Sequence, residues 1–395
     1  MATLPAAEWT GREELAALVD ALGHGKVRWV GGAVRDTLLG SPVHDIDAAT
    51  PLSPQEVIAA CTKAGIRTAP TGIEHGTITA IVEGGNVEIT TLRKDVETDG
   101  RRATVEFAQE WRDDAARRDF TINALYADPE TLEIHDYFGG LDDLAARRVR
   151  FIGDARERIR EDYLRLLRYF RFQARFGSQL DADAEDACKD LAEGLRGLSR
   201  ERVGWELQNL LALPDPSATV ARMRTLGVLQ VVLPEASARE VAALAALVAE
   251  ESRQEVQPDA MRRLAALLPA LPPVAEQVAA RLRLSRSQRA RLACVAARTS
   301  DDAADPRGLA YREGLACATD RLLLLGASTS PLHGWELPEL PLKGGEIVAR
   351  GVGKGPEVAR ILQAVERRWI EAGFPGRKAV EAMLDDELLQ TRDKS

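Results

Sequence analysis

Cysteine is scarce in this chain: Cys61, Cys188, Cys294 and Cys317 stand far apart among 395 residues. They form no C-x-x-C pair and no Cys/His cluster, so the spacing predicts neither a zinc site nor a disulfide framework, and the thiols are expected to be reduced. The five histidines are equally dispersed, without the H-E-x-x-H or His-Asp pattern of a metallohydrolase. Long apolar runs are missing as well, none reaching the roughly 18 residues of a membrane span, so no membrane role is expected. The start, MATLPAAEWTGREEL, has no basic segment followed by an apolar one, and the expectation is a cytoplasmic protein. An excess of positive charge is also absent. The net charge of −9 argues at first against a nucleic-acid partner. Ten arginines nevertheless crowd positions 147–175, and a basic cleft can coexist with an acidic exterior.

What is present is most concentrated at positions 31–50, GGAVRDTLLGSPVHDIDAAT. An apolar run at 27–30 ends in Gly31 and Gly32 and passes into 33–40, which reads as strand, tight turn and short helix. Such a turn lets backbone N–H groups approach phosphate, and Arg35 stands where a guanidinium could grip the same oxygens. Asp45 and Asp47 follow at the spacing that puts both on one face of a strand, with Ile46 on the other. Two hard oxygen ligands beside a phosphate site suit Mg²⁺, which favours one or two carboxylates plus substrate phosphates. A lone D-x-D is commonplace in polar loops; the glycine turn and Arg35 give this one its meaning.

The segment 86–93 alternates like a half-buried strand, with Val87, Ile89 and Thr91 on one face and Glu88 and Thr90 on the other. Glu88 could therefore lie beside the Asp pair as a third carboxylate, or simply face solvent. The polar stretch 94–104, KDVETDGRRAT, reads as a mobile loop next to the nucleotide, or as a plain hairpin connection. At 117–125, RRDFTINAL predicts an amphipathic helix with Asp119 as its N-cap and Phe120, Leu125 and Tyr126 inward. Arg118 would sit at its mouth, able to clamp a triphosphate; alternatively, Arg117 and Arg118 are surface residues paired with Asp113 and Asp114.

The run REDYLRLLRYFRF at 160–172 is the second strong signal. Read as one helix, it places Asp162 and Arg165 on one face, extended by Arg168 and Arg171. An acceptor carboxylate beside a donor guanidinium matches the Watson–Crick edges of cytosine and adenine and mismatches those of uracil and guanine. The pair then selects CTP and ATP without a template. As a bare i, i+3 pair it could equally be a surface salt bridge.

Strand-like runs at 27–30, 77–82, 86–92 and 104–107 alternate with helical ones such as 54–64 in the first part of the chain. After 154 the pattern is helical almost throughout, with prolines at 214, 216, 234, 269, 272, 273 and in 328–341 marking joints. This predicts an α+β fold with three parts: a head over 1–153, a helical neck over 154–235, and a helical body and tail over 236–395.

These motifs, in this order, resemble the class II CCA tRNA nucleotidyltransferases of the polymerase β-like nucleotidyltransferase superfamily. GGAVRDTLLG…DIDAAT is similar to the metal motif, ITTLRKDVETDGRR to the flexible loop, RRDFTINAL to the second motif, and EDYLRLLRYFRFQARFG to the amino-acid template helix. The stretch 136–172 is close to the mitochondrial and alphaproteobacterial branch, and 342–373 resembles the tail segment. The resemblance implies Mg²⁺ on Asp45 and Asp47, nucleotide contacts from Gly32, Arg35 and Arg118, and base selection by Asp162 and Arg165 with Arg168 and Arg171 completing the pocket. It also implies a tRNA acceptor end as the partner that is extended with C, C and A. The alternatives within the family are partial CC or A addition and polyadenylation. The loop favours full CCA addition, and the segment before the Asp pair lacks an arginine-rich pattern expected of poly(A) polymerases. A silent RNA-binding protein on the same scaffold is the non-enzyme alternative.

Overall fold

The computed structural model describes residues 2–98, 103–177, 179–353 and 355–392. The chain divides into two compact units, Met1–Pro234 and Glu235–Ser395.

Unit 1 is built on a seven-stranded sheet in the order β3-β4-β5-β2-β1-β8-β9. Its strands are β1 (Arg28–Val30), β2 (Ile46–Thr50), β3 (Arg67–Gly72), β4 (Thr77–Val82), β5 (Gly85–Thr91), β8 (Leu125–Ala127) and β9 (Ile134–Asp136). All neighbouring pairs are antiparallel except β2 with β5. The helices of this part are α1 (Glu13–Leu22), α2 (Gly32–Leu38), α3 (Pro54–Lys63), α4 (Trp111–Ala116) and α5 (Gly140–Ala145). α3 begins as its sequence dictates, with the Ser53 hydroxyl accepting from the Glu56 amide, Glu56 returning the contact, and Pro54 in the first turn. The stretch read as either a mobile loop or a hairpin connection is largely a hairpin of β6 (Arg93–Thr98) with β7 (Ala103–Phe107); residues 99–102 lie outside the described residues.

No named strand follows β9 among the described residues. Unit 1 continues through α6 (Ala155–Glu161), α7 (Leu164–Phe176), α8 (Ala182–Leu191), α9 (Arg200–Leu211), α10 (Ser217–Thr225) and α11 (Val228–Val232). The run expected to form one helix from 160 to 172 is broken: Asp162 has extended backbone, φ −150° and ψ 105°, between α6 and α7. Phe120, Phe151, Tyr169 and Phe172 pack ring against ring, binding α7 to the segments before β8 and α6.

Unit 2 is helical. α12 (Ala238–Arg253), α13 (Ala260–Ala266), α14 (Pro272–Arg281), α15 (Arg286–Ala296), α16 (Pro306–Glu313) and α17 (Leu315–Leu324) are followed by α18 (Gly344–Ala349), α19 (Pro356–Glu371) and α20 (Arg377–Arg392). A buried ionic network joins α12, α13, α15 and α17. Glu251 accepts from Arg262 and Arg263 at 2.6 and 2.8 Å, and Asp320 from Arg262 and Arg291 at 2.9 and 2.7 Å. The last three helices share their own apolar cluster of Ile347, Ile361, Val365, Trp369, Val380 and Leu384. No described helix is long and apolar enough to cross a membrane.

The expectation of four reduced thiols is corrected here: Cys294 of α15 and Cys317 of α17 are joined in a disulfide, while Cys61 and Cys188 are free and buried. Separation along the chain hid the pair because helix packing, not local spacing, brings them together.

Candidate active site

A row of paired residues crosses the sheet: Tyr126 of β8, Val30 of β1, Asp47 of β2, Glu88 of β5 and Thr79 of β4. Paired residues on neighbouring strands share a face, so Asp47 and Glu88 emerge side by side. Ile46, Ala48, Val87 and Ile89 are buried on the opposite face. Asp45 stands one residue ahead of β2, exposed to solvent.

Val30 ends β1 directly below the glycine turn. Gly31 has φ 71°, and a β-carbon on it would lie 3.5 Å from Arg118 Nη1 and 3.8 Å from Asp47 Oδ2. A side chain there would need left-handed backbone and would crowd the gap between guanidinium and carboxylate. Gly32 opens α2.

The charges around Asp47 are unequal. Burial pushes its carboxyl up to about 6, with Glu88 and Asp45 adding to the rise and Arg118 and Arg35 opposing it. Asp47 is raised in spite of Arg118 and Arg35, with Glu88 and Asp45 near it, and the donor set is all oxygen. That chemistry fits a hard divalent cation.

Arg118 is held from behind. Its Nε donates to the Tyr126 hydroxyl at 3.0 Å and to Asp114 Oδ2 at 3.4 Å, while Tyr126 donates to the same oxygen at 2.6 Å. Arg117 takes the other oxygen of Asp114 at 2.6 Å. Burial alone would raise the Asp114 carboxyl; Arg118, Arg117 and the Tyr126 hydroxyl hold it below the ordinary value. Asp114 is buried, so the pairing anticipated for a surface arginine is instead an anchored support.

The helix expected at 117–125 does not form. Thr121–Asn123 make a single 3-10 turn, and the chain enters β8 at Leu125. The N-cap position falls to Phe120, without a side-chain cap, and Asp119 has another task. It accepts from the Phe120 amide at 2.8 Å, from Asn123 Nδ2 at 3.0 Å and from Arg168 Nε at 2.8 Å. Phe120, Leu125 and Tyr126 are buried as expected.

Arginines of α6 and α7 are placed through this turn. Arg158 and Arg165 donate to main-chain carbonyls at Arg117, and Arg158 also to that of Arg118 at 2.9 Å. Asp162 and Arg165 take different partners rather than each other. Asp162 Oδ2 accepts from Arg202 of α9 at 2.7 Å, and Arg165 pairs with Glu161. Arg171 donates to Glu206 at 2.7 Å. Arg35 is buried against the Phe172 and Phe176 rings, with its guanidinium on Asp36 and Asn123. Of the arginines read as a basic cleft, Arg148 and Arg150 pair with Asp143, Arg156 with Asp190, and Arg175 with Asp36. Carboxylate pairing therefore offsets much of that local positive charge.

The support that Asp119, Tyr126, Arg158, Arg202 and Glu206 give the site is not legible in the sequence. Asp114 and Arg118 at i, i+4 gave a local signal for one pair, but Arg202 stands 40 residues from Asp162 and left none.

Comparison with known proteins follows the same outline. A family model described as the poly A polymerase head domain matches residues 27–150. A second, described as a probable RNA and SrmB-binding site of polymerase A, matches residues 177–239. The mitochondrial CCA tRNA nucleotidyltransferase 1 of Danio rerio is 34% identical over 395 aligned residues, covering 94% of this chain and 88% of that protein. The CCA-adding enzyme of Streptococcus pyogenes is 44% identical over 188 residues, 47% of this chain and 46% of that protein. Among solved structures, the CCA-adding enzyme of Bacillus stearothermophilus in complex with CTP superposes with a TM-score of 0.75 at 26% identity, covering 97% of this chain and 98% of that one. The chain belongs to the CCA tRNA nucleotidyltransferase family.

Proposed function

We propose that this chain extends the 3′ end of tRNA by C, C and A, drawing on CTP and ATP and releasing pyrophosphate. The observation that carries the site assignment is Asp47 flanked by Glu88 under the Gly31 turn, with Arg118 facing it across the glycine. The acceptor is supported by the near full-length similarity to a CCA tRNA nucleotidyltransferase.

Asp45 and Asp47 would hold Mg²⁺, which when bound supplies charge to polarise the attacking hydroxyl and to neutralise the departing pyrophosphate. Glu88, beside Asp47, orients the acceptor hydroxyl or the ion. The Gly31–Gly32 turn admits the triphosphate close to the backbone, and Arg118, fixed by Asp114 and Tyr126, neutralises its oxygens. Asp162 accepts from the exocyclic amine of cytosine or adenine and Arg165 donates to the neighbouring ring positions, on exchanging its present partners for the base. Arg168 and Arg171 complete the pocket wall. Arg35, buried against Phe172 and Phe176, serves it by fixing α2 against α7. The same reading puts the reaction in the cytoplasm, and cell fractionation tests this against the mitochondrial compartment named for the animal relative.

The test offers labelled CTP and ATP, separately and together, to tRNAs ending before the first C, after one C and after CC. Completion of CCA and a stop there is the expected result. Unlimited A addition without C would mean a poly(A) polymerase, and no incorporation by an intact protein would leave an RNA-binding function. Asp45→Ala with Asp47→Ala should abolish extension, and retained activity would remove the metal assignment.

A further inference from the structure

Asp162 occupies the break between α6 and α7, where its carboxylate would be free to rotate unless something held it. Two contacts hold it. Oδ1 accepts from the Leu164 amide at 3.1 Å, at the start of α7, and Oδ2 accepts from Arg202 Nη2 at 2.7 Å. Arg202 comes from α9 and stands one helical turn before Glu206, so both project from one side of that helix. Glu206 in turn takes Arg171 at 2.7 Å and faces Arg168 at 3.8 Å. One face of α9 thus reaches Asp162, Arg168 and Arg171, three of the four charged residues assigned to base selection, while Arg165 turns to Glu161. Nothing else from outside the α6–α7 segment bonds to Asp162 among the described contacts.

We propose that Arg202 is a positioning residue for nucleotide selection, aiming the Asp162 carboxylate at the exocyclic amine of cytosine and adenine. The inference rests on the reading of Asp162 as the base-facing acceptor. An ionised carboxylate offers about four acceptor directions, and the Leu164 amide and Arg202 occupy two of them. The remaining ones are fixed in direction by those two bonds and point where an amine can donate. A uracil or guanine carbonyl meeting a fixed carboxylate finds an acceptor opposite an acceptor, and is rejected. Arginine suits the task because its charge-assisted bond is short and directional, and its planar fork resists rotation. The pair is half-exposed, 49% for Arg202 and 34% for Asp162, which leaves the carboxylate accessible to a substrate.

The experiment measures kcat and KM for CTP, UTP, ATP and GTP on tRNA lacking its terminus, using the full chain carrying Arg202→Ala, Arg202→Lys, Asp162→Asn, or Arg202→Ala with Asp162→Asn. Arg202→Ala should raise KM for CTP and ATP by about tenfold with little change in kcat, the size of one lost charge-assisted hydrogen bond. The preference for CTP over UTP in kcat/KM should fall by a similar factor. Arg202→Lys should recover part of the preference. The double variant should discriminate no worse than Asp162→Asn alone, as coupled residues do. If Arg202→Ala lowers kcat/KM equally for all four nucleotides, Arg202 only braces α9 and the proposal is overturned. It is also overturned if Asp162→Asn relaxes selection while Arg202→Ala leaves it intact; the base-reading role of Asp162 then survives. Unchanged selection in Asp162→Asn itself overturns both.

Discussion

Arg168 of α7 donates to Asp119 at 2.8 Å, tying that helix to the turn that carries Arg118. The bond lies on a longer chain of contacts, from Arg35 through Asn123 and Asp119 to Arg168 and Glu206. α2, the 117–123 turn, α7 and α9 are therefore joined by one continuous polar network, and a disturbance at its centre should reach both ends.

Asp119→Ala leaves Arg168 and Asn123 without their acceptor in a buried place and should cost about 2–4 kcal/mol of stability, read by urea denaturation. Its acid sensitivity follows from the same contacts. Burial would raise the Asp119 carboxyl, but Arg168, Asn123 and the Phe120 amide hold it below the ordinary 3.8. A depressed carboxyl contributes stability that is complete above the unfolded value and fades as pH falls through the folded one. The melting temperature should thus drop from about pH 4 downward, and Asp119→Asn should flatten that slope.

Asp114 and Tyr126 hold Arg118 without touching the site themselves. Asp114→Asn should raise KM for CTP and ATP alike, by about tenfold, and Tyr126→Phe by less. Because phosphate contacts are common to every nucleotide, the CTP to UTP preference should stay as it is; a changed preference would show that this support reaches the base.

Gly31→Ala combines left-handed backbone with a β-carbon 3.5 Å from Arg118. The conformational strain is about 1–2 kcal/mol. Steady-state kinetics should show a larger loss in kcat/KM than in melting temperature would suggest, since the turn also sets the gap between Arg118 and Asp47.

Asp47 is expected to trade stability for function. With the carboxyl pushed up to about 6, the ionised group is disfavoured in the metal-free fold at neutral pH. Asp47→Asn should make chelator-treated protein more stable by about 1–2 kcal/mol above pH 6, discounted for partial exposure, while removing activity. The advantage should vanish as pH falls below about 4, where the group is protonated in both folded and unfolded chains. Added Mg²⁺ should raise the melting temperature of the wild type and leave the variant where it was.

In unit 2, Glu251 is buried between Arg262 and Arg263. Glu251→Ala should destabilise that unit by about 3–5 kcal/mol, because two guanidiniums stay buried with one acceptor gone. Differential scanning calorimetry of the full chain is the measurement, and an unmoved transition would show that Asp320 alone suffices.

The sequence by itself determined the features that local chemistry dictates. The glycine turn, the alternation that puts Asp47 opposite Ile46 and Glu88 opposite Val87, and the change from mixed to helical pattern are all properties of a few consecutive residues, and periodicity exposes them. Tertiary structure decided everything that depends on distant partners. It broke the 160–172 run at Asp162, and it brought Arg202 from α9 to that carboxylate, a partner 40 residues away. It replaced a helix at 117–125 by one turn and a strand, because pairing of β8 with β1 and burial of Tyr126 outweigh helical preference. It turned much of an apparent basic cleft into ion pairs with Asp143, Asp190 and Asp36, and it brought Cys294 to Cys317. The physical reason is common to all four: residue type fixes what a side chain can bond, while only the folded path of the backbone fixes which partner lies within reach.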